Sequence, residues 1–278
     1  MTDKTSDFSF SYVFPFEKNF DEESFWQWIR ENWTLSLWYS LAYIVFIFGG
    51  KYYMERRPRL EIRVALAVWS SILAIFSILG AMRTMPELIY VINKYGWEFS
   101  VCNPSYVYYS PTAFWTCLFA LSKVYELGDT IFIVLRKQQL IFLHWYHHIT
   151  VLIYVWYSIP EHTAPGRWFI VMNYTVHSFM YTYYALKAMR VKVPKFISMV
   201  ITSLQITQMI IGVAVNIWAY HVKGKGGYCQ QSYSNLKWSS IMYLSYFALF
   251  SNFFYHAYFN KKKPSVQDIK KMENKKQN

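Results

Sequence analysis

The sequence has little charge and almost no cysteine. Only 16% of its 278 residues are Asp, Glu, Lys or Arg, whereas ordinary soluble chains contain roughly 25%. Its three cysteines are too few for a disulfide scaffold or for a zinc site built from cysteines. It also has no Gly-rich dinucleotide fingerprint. These absences argue against a soluble domain, a disulfide-stabilised secreted domain and an enzyme that holds a nicotinamide cofactor through that fingerprint.

What the sequence has instead is apolar side chains: 54% of its residues are hydrophobic and 21% are aromatic. Seven apolar segments are each long enough to cross a hydrocarbon core, which takes about 20 helical residues. The second of them carries Arg83 and Pro86 near its end, where a proline predicts a kink. The sequence therefore predicts an all-α polytopic membrane protein with seven transmembrane helices, at residues 33–52, 64–92, 111–135, 139–159, 167–188, 196–221 and 236–259.

Basic residues lie between and after these segments and give a net charge of +12. A nucleic-acid binder could be this basic, but it would not carry seven apolar segments. Lys and Arg that gather in loops on one side mark the cytosolic side of a membrane protein, and here they gather at 51–63, 136–137, 187–195 and 261–276. We therefore predict a lumenal N-terminal arm at 1–32, a transmembrane domain at 33–259 and a basic cytosolic tail at 260–278.

This topology gives two further predictions. Lys275 and Lys276 stand three and four places from the C-terminus, which predicts a dilysine signal for retrieval to the endoplasmic reticulum; the alternative is simply the end of a basic tail. Cys102 and Cys229 fall in predicted lumenal loops, where disulfides persist. We predict that they pair, with two unpaired thiols as the alternative.

The segment Arg136–Thr150 holds an unusual group of histidines at the start of the fourth apolar segment. His144, His147 and His148 are spaced i, i+3 and i+4, so a helix would place them on one face. Titratable side chains at membrane depth are costly and mark a site that faces the protein interior. Three together predict a functional site.

Three other predicted spans also carry a polar stripe, and we expect all four to meet in one pocket enclosed by spans three to six and open to the cytosol. For Lys123 and Glu126 the alternative is a structural ion pair. For Gln205 and Gln208 the alternative is hydrogen bonding between helices. The stripes are Lys123, Glu126, Asp129 and Thr130; Asn173, His177 and Tyr181; and Thr202, Gln205 and Gln208.

The histidines suit more than one chemistry. Similar histidine boxes occur in membrane di-iron desaturases and hydroxylases, but two irons need about eight imidazoles and this chain has seven histidines. A single zinc could be held by the triplet with His177. Alternatively, a neutral imidazole can attack a thioester. A non-catalytic lipid transporter is also open, although it would need a pathway to both sides of the membrane.

In their order and spacing, the four stripes resemble the ELO family of very-long-chain fatty acid elongases, which are 3-ketoacyl-CoA synthases. The resemblance covers the whole membrane region. It implies seven helices, six of them forming a barrel around an acyl tunnel, and condensation of a long-chain acyl-CoA with malonyl-CoA. No cofactor is expected. The local sequence around HWYHH resembles the branch that acts on saturated and monounsaturated C12–C16 chains.

The resemblance also implies roles for these residues. His147 would attack the acyl thioester, His144 and His177 would position malonyl-CoA and move protons, and Asp129 and Glu126 would orient imidazoles. His148 is a further catalytic candidate. We expect substrate contacts from Asn173, Tyr181, Gln205, Gln208 and Lys123, and CoA phosphate contacts from cations at the cytosolic mouth, Arg136, Lys137, Lys187, Arg190, Lys192 and Lys195. Expected partners are the endoplasmic reticulum membrane and the ketoacyl reductase, dehydratase and enoyl reductase of the elongation cycle; a homodimer stays open.

Overall fold

A computed structural model describes residues 7–260, and the described residues form helices without any β-strand. Short 3₁₀ turns at Ser105–Tyr108 and Ile159–Glu161 and a π-helical turn at Tyr255–Phe259 connect or end the longer helices. The α-helices are α1 (Pro15–Lys18), α2 (Glu22–Asn32), α3 (Leu35–Glu55), α4 (Arg63–Cys102), α5 (Ser110–Tyr125), α6 (Gly128–Leu135), α7 (Phe142–Ser158), α8 (Gly166–Ala188), α9 (Lys195–Gly224) and α10 (Tyr233–Phe254). The tail lysines Lys275 and Lys276 lie outside the described residues.

The helices follow the predicted segments closely, with two differences. The third predicted span is divided, because the chain leaves the helix after Tyr125 and resumes it at Gly128. The second predicted span extends to Cys102 and stays helical through Pro86; its non-helical backbone is at Gly96, with φ of 83°. The break therefore lies beyond the predicted position, at a residue whose missing Cβ permits a positive φ.

Helices long and apolar enough to cross a membrane are α4 and α9. The pair α2 and α3, bent by 64°, also meets these criteria when taken together, so up to three spans are identified by length and composition within residues 7–260. The division of the third segment leaves α5 and α6 with 16 and 8 residues, both short of the roughly 20 that a span needs. The count of seven spans stays a prediction.

The helix contacts can be followed around a closed path. Helix α4 contacts α5, α5 contacts α7, and α7 contacts α10; from there α10 contacts α9, α9 contacts α8, and α8 returns to α4. Helix α3 lies outside this path and contacts α6 and α7. The loops from α4 to α5, α7 to α8 and α9 to α10 lie on one side, because Ala164 N–H donates to the carbonyl of Gln230 and Gln230 N–H donates to that of Cys102.

A buried ion pair connects α8 to α4 on that side. Arg167 of α8 donates to both carboxylate oxygens of Glu87 of α4, at 2.9 Å from Nε and 3.1 Å from Nη2. Both side chains are at most 1% exposed. Arg167 Nη1 also donates to the carbonyl oxygen of Ser100, and the hydroxyl of Ser105 lies against both charges. Because every hydrogen-bonding group of the pair is used, the pair ties α4 firmly to α8.

Two further connections close the same side. A disulfide links Cys102, at the end of α4, to Cys229 in the loop between α9 and α10. Glu161 accepts hydrogen bonds from the backbone N–H and hydroxyl of Ser232 and from the side-chain amide of Asn235 at the start of α10; that N–H is one of those that a helix start leaves free. The loops on this side are thus joined to one another by covalent and polar contacts.

The N-terminal arm docks through one carboxylate. Glu17 is fully buried and accepts hydrogen bonds from Arg83 at 2.6 and 2.8 Å and from the indole nitrogen of Trp115 at 2.9 Å. Burial by itself would raise the pKa of Glu17, but these donors and the backbone N–H of Phe14 bring it below its ordinary value. Arg83, predicted to mark a kink, therefore holds the arm against α4.

We predict that Arg167→Met lowers the free energy of unfolding by about 3–5 kcal/mol, because it leaves the Glu87 carboxylate buried without a cation. The midpoint of thermal unfolding of the detergent-solubilised protein should fall accordingly. Arg59→Met is the matched control, since Arg59 pairs with Glu61 at 2.8 Å but both side chains are more than 70% exposed, and exposed pairs contribute little. Equal effects of the two substitutions would contradict this account of the fold.

Candidate active site

A cavity of about 570 Å³ opens at the side of the molecule opposite the disulfide. Residues of α4, α6, α7, α8, α9 and α10 line it, so the second and seventh predicted spans contribute as well as spans three to six. The predicted site residues that line it are Asp129, His144, His147, His148, Asn173, His177, Tyr181, Gln205, Gln208, Arg136 and Lys187.

The three histidines of α7 lie on one face, as their spacing predicts. The rings of His144 and His148 are 4.6 Å apart between centroids, and those of His148 and His147 are 5.5 Å apart. The ring of His147 also packs against Tyr246, at 4.9 Å, and faces the cavity. No hydrogen bond to its ring nitrogens is made by residues 7–260, so these nitrogens are available to a ligand.

A buried polar chain leads to His177. Lys123 donates to Glu126 at 2.7 Å and to the side-chain oxygen of Asn173 at 2.9 Å, and the Asn173 amide lies 3.1 Å from Nε2 of His177. Glu126 Oε1 is 3.8 Å from Nδ1 of the same ring. Lys123 and Glu126 lie behind the cavity wall, so they contact His177 and Asn173 and do not face the cavity. The ion pair therefore fixes the position of one histidine.

Asp129, the first acidic residue of α6, is held by two donors. The indole nitrogen of Trp69 and the hydroxyl of Tyr181 each lie 2.7 Å from one of its oxygens. Trp69 can come this close because the preceding residue is Gly128: a Cβ there would lie 2.6 Å from the indole ring. Asp129 thus bonds a tyrosine next to His177, with their rings 5.4 Å apart, and bonds no imidazole among the described residues.

The glutamines of α9 also reach the cavity. Gln205 and Gln208 line it, and the amide of Gln205 lies 3.5 Å from the sulfur of Met180. Thr202, from the same stripe, is 3.3 Å from the hydroxyl of Tyr258 beside the opening. Because a sulfur is only a weak acceptor, the amide of Gln205 is left with donor capacity toward the cavity.

The predicted cations of the mouth divide into two groups. Arg136 and Lys187 line the cavity, and so does Arg63, which the sequence did not single out. Lys137 instead donates to the carbonyl oxygens of Glu55 and Arg57, which holds the loop after α3. Arg190, Lys192 and Lys195 are exposed but do not line the cavity, so their contact with a substrate stays a prediction.

Other residues at the site carried no recognisable pattern in the sequence. Trp69, Tyr246 and Tyr43 are single aromatic side chains in a chain with 12 Trp and 25 Tyr, so no spacing distinguishes them. Arg63 was counted only among the basic residues that set the topology. Within residues 7–260, no group of three or more His, Cys, Asp or Glu side chains is arranged to hold a metal ion.

These features define a helical membrane protein with a histidine-lined polar cavity that is open on one side. A sequence model of the ELO family, described as the GNS1/SUR4 family, matches residues 28–266. The chain belongs to this family.

Several named relatives agree with this assignment. The very long chain fatty acid elongase 6 of Drosophila melanogaster is 56% identical over 253 residues, which cover 90% of this chain and 80% of the relative. The human protein of the same name is 47% identical over 258 residues, covering 91% and 96%. The putative fatty acid elongase 3 of Caenorhabditis elegans is 46% identical over 271 residues, covering 97% and 84%.

We predict that Gly128→Ala is destabilising, because the new methyl group would displace the Trp69 ring from Asp129; overpacking of this kind costs about 1–3 kcal/mol. Thermal unfolding measures the effect. In a Trp69→Leu background, where the ring is already removed, Gly128→Ala should cost much less. An equal cost in both backgrounds would show that the contact between Gly128 and Trp69 is not the cause.

Proposed function

We propose that the cavity condenses a long-chain acyl-CoA with malonyl-CoA through an intermediate in which His147 carries the acyl group. Membership of the ELO family makes the chain a condensing enzyme of fatty acid elongation in a membrane. The observation that carries the covalent route is the His147 ring, which faces the cavity with both nitrogens free of bonds to the described residues.

In the first half-reaction, a ring nitrogen of His147 attacks the thioester carbon, the C–S bond breaks and CoA leaves as a thiolate. In the second, malonyl-CoA loses carbon dioxide and the enolate carbon attacks the acyl carbon. The C–N bond to His147 then breaks, which releases 3-ketoacyl-CoA and restores the imidazole. Covalent catalysis of this kind divides one difficult step into two easier ones.

The polar chain behind the cavity suits the second half-reaction. Asn173 and His177 lie together at the wall, fixed by Lys123 and Glu126. We assign them to the malonyl thioester, whose oxygen gains charge as carbon dioxide leaves and needs preorganised donors. The Asn173 amide donates one N–H to Nε2 of His177 and keeps a second N–H for that oxygen. Gln205 and Gln208 are further donors that face the same space, whereas the Tyr181 hydroxyl, which also lines it, donates to Asp129. His144 and His148 complete the histidine wall.

The mouth cations suit the phosphates of CoA. Arg63 at the start of α4, Arg136 just after α6 and Lys187 near the end of α8 line the open side of the cavity, so they could surround a polyanion. Arginine binds phosphate through paired N–H groups and lysine as a point charge. With the phosphates held here, the acyl thioester is directed inward past the histidines.

The proposed membrane topology puts the opening of the cavity on the cytosolic side. The closed path of helix contacts supports a six-helix barrel around the acyl chain, and the positions of the basic loops support seven spans, a lumenal N-terminal arm and a cytosolic C-terminus. Residence in the endoplasmic reticulum would place the Cys102–Cys229 disulfide in an oxidising compartment. The mouth would then face cytosolic CoA substrates.

The relatives called very long chain fatty acid elongase 6 support a preference for the C12–C16 branch of substrates. Each cycle yields a 3-ketoacyl-CoA, so the ketoacyl reductase, dehydratase and enoyl reductase that process it are the proposed partners. Whether the protein acts as a homodimer is a separate question that size measurements on the purified protein would answer.

We predict that incubation with palmitoyl-CoA alone, with chelator present, adds the mass of one acyl chain to the purified protein. The adduct should map to His147, disappear on addition of malonyl-CoA and be absent from His147→Ala. Intact-mass spectrometry measures all three.

Condensation by wild-type protein without any adduct would instead indicate direct attack within a ternary complex, with His147 acting as a base. Near-normal condensation by His147→Ala would refute the assignment of this residue. A protein that forms no adduct, does not condense and contains bound iron or zinc would favour metal chemistry.

We predict that Arg136→Ala and Lys187→Ala each raise the KM for acyl-CoA roughly 3- to 10-fold, because a phosphate loses a charge-assisted contact. The kcat should change little. Lys51→Ala is the control, since Lys51 is an exposed cation in the last part of α3 that does not line the cavity. A similar rise for Lys51→Ala would mean that the general positive field, and not these contacts, attracts CoA.

A further inference from the structure

Tyr43 connects the outermost long helix to the histidine wall. It lies on α3, outside the closed path of helix contacts, and is 6% exposed. Its ring belongs to a buried hydrophobic cluster with Ile47, Met54 and Val134, and its hydroxyl lies 2.6 Å from the hydroxyl of Thr130 on α6. Burial of two hydroxyl groups between helices is costly unless each donor and acceptor has a hydrogen-bond partner. The direction in which each hydroxyl donates therefore matters.

Thr130 also contacts a histidine that lines the cavity. It is fully buried, and its hydroxyl oxygen lies 2.9 Å from Nε2 of His144 on α7. One threonine therefore connects Tyr43 to the first histidine of the triplet. The chain of two hydrogen bonds joins three helices, α3, α6 and α7.

The proton balance sets the direction of this chain. Among the described residues the Tyr43 hydroxyl has Thr130 as its partner, so its proton is used only if Tyr43 donates to Thr130. Thr130 then donates its own proton to Nε2 of His144. The reverse direction would leave the buried phenol proton without an acceptor, which costs the desolvation of that donor.

We infer that Tyr43 and Thr130 are positioning residues that hold neutral His144 with its proton on Nδ1. With Nε2 occupied as an acceptor, this tautomer is the one that the hydrogen-bond chain supports. His144 in turn packs edge to face on His148, which packs on His147. The first long helix is thus part of the reaction machinery, beyond its place in the membrane.

The inference rests on the proposed function, since it assigns the chain of bonds to a step of condensation. Its consequence is kinetic. A misoriented or wrongly protonated His144 would slow the chemical steps, whereas the CoA contacts at the mouth come from Arg63, Arg136 and Lys187, which are separate from this chain of bonds. The kcat should therefore change while the KM for acyl-CoA does not.

The test compares Tyr43→Phe, Thr130→Val and Thr130→Ser in the full-length, detergent-solubilised protein. Tyr43→Phe keeps the packed ring and removes only the donor. We expect kcat, per folded enzyme, to fall about 3- to 10-fold for Tyr43→Phe and Thr130→Val, the range for one lost hydrogen bond expressed in the transition state. Thr130→Ser, which retains the hydroxyl, should restore kcat to near the wild-type value.

Two comparisons separate positioning from simple packing. Tyr52→Phe, on the same helix but 71% exposed, should leave kcat unchanged. The double variant Tyr43→Phe/Thr130→Val should lose no more than Thr130→Val alone, because both substitutions break one chain. A lower thermal midpoint with unchanged kcat for Tyr43→Phe would overturn the inference and leave Tyr43 as a packing residue.

Failure of this inference is distinct from failure of the proposed function. If wild-type protein condenses its substrates and Tyr43→Phe does so equally fast, the inference alone is wrong. If wild-type protein does not condense them, the proposed function is wrong and the kinetic comparison does not arise. A loss of kcat in Tyr43→Phe with no acyl adduct on wild-type His147 would support the positioning role and reject only the covalent route.

Discussion

The site depends on one buried carboxylate, that of Glu126. It is 3% exposed, and its Oε1 accepts from Lys123 and from the hydroxyl of Ser122. A charge held out of water in this way is tolerated only with a close counter-ion and further hydrogen bonds. Lys123 supplies the counter-ion, and a second of its three N–H donors reaches Asn173 and, through it, His177. The neutralisation of Glu126 therefore fixes the position of a histidine.

Lys123 and Glu126 fit both interpretations that the sequence left open, a structural ion pair and a part of the site. Lys123 and Glu126 are structural in that they pair with each other behind the cavity wall. They also act on the cavity, because the other contacts of the pair are the ring and the amide that line it. Removal of either charge would leave its partner buried and would release His177 at the same time. Effects on stability and on activity from this pair should be inseparable.

The parts of the site that follow helical periodicity could be predicted from the sequence. Three histidines at i, i+3 and i+4 and the stripe from Asn173 to Tyr181 depend only on helical periodicity, and the described helices place both at the cavity. Contacts made by one residue from a distant helix could not be predicted in this way. Trp69 reaches Asp129 across 60 positions, and Tyr43 reaches Thr130 across 87. Neither tyrosine nor tryptophan is rare enough here to mark a position.

The position of charges along a loop was also beyond prediction, for a different reason. Arg136 and Lys137 are adjacent in sequence, yet one lines the cavity and the other bonds the backbone of Glu55 and Arg57. Lys137 takes a positive φ of 53°, so the helical backbone does not continue through it. A count of basic residues predicts the side of the membrane, whereas contact with a ligand depends on such local backbone angles.

The interruption between α5 and α6 brings these contacts together. An uninterrupted helix from 110 to 135 would carry Asp129 and Thr130 on the continuation of the face that holds Lys123 and Glu126. Instead the α-helical hydrogen bonding is interrupted there, because the N–H groups of Leu127, Asp129 and Thr130 bond to carbonyls three residues back. Helix α6 contacts α3, which lies outside the closed path of helix contacts. Gly128 admits the Trp69 ring at this point. The break therefore lets one sequence motif serve two networks, with Glu126 supporting His177 and Thr130 supporting His144 from opposite sides of the cavity.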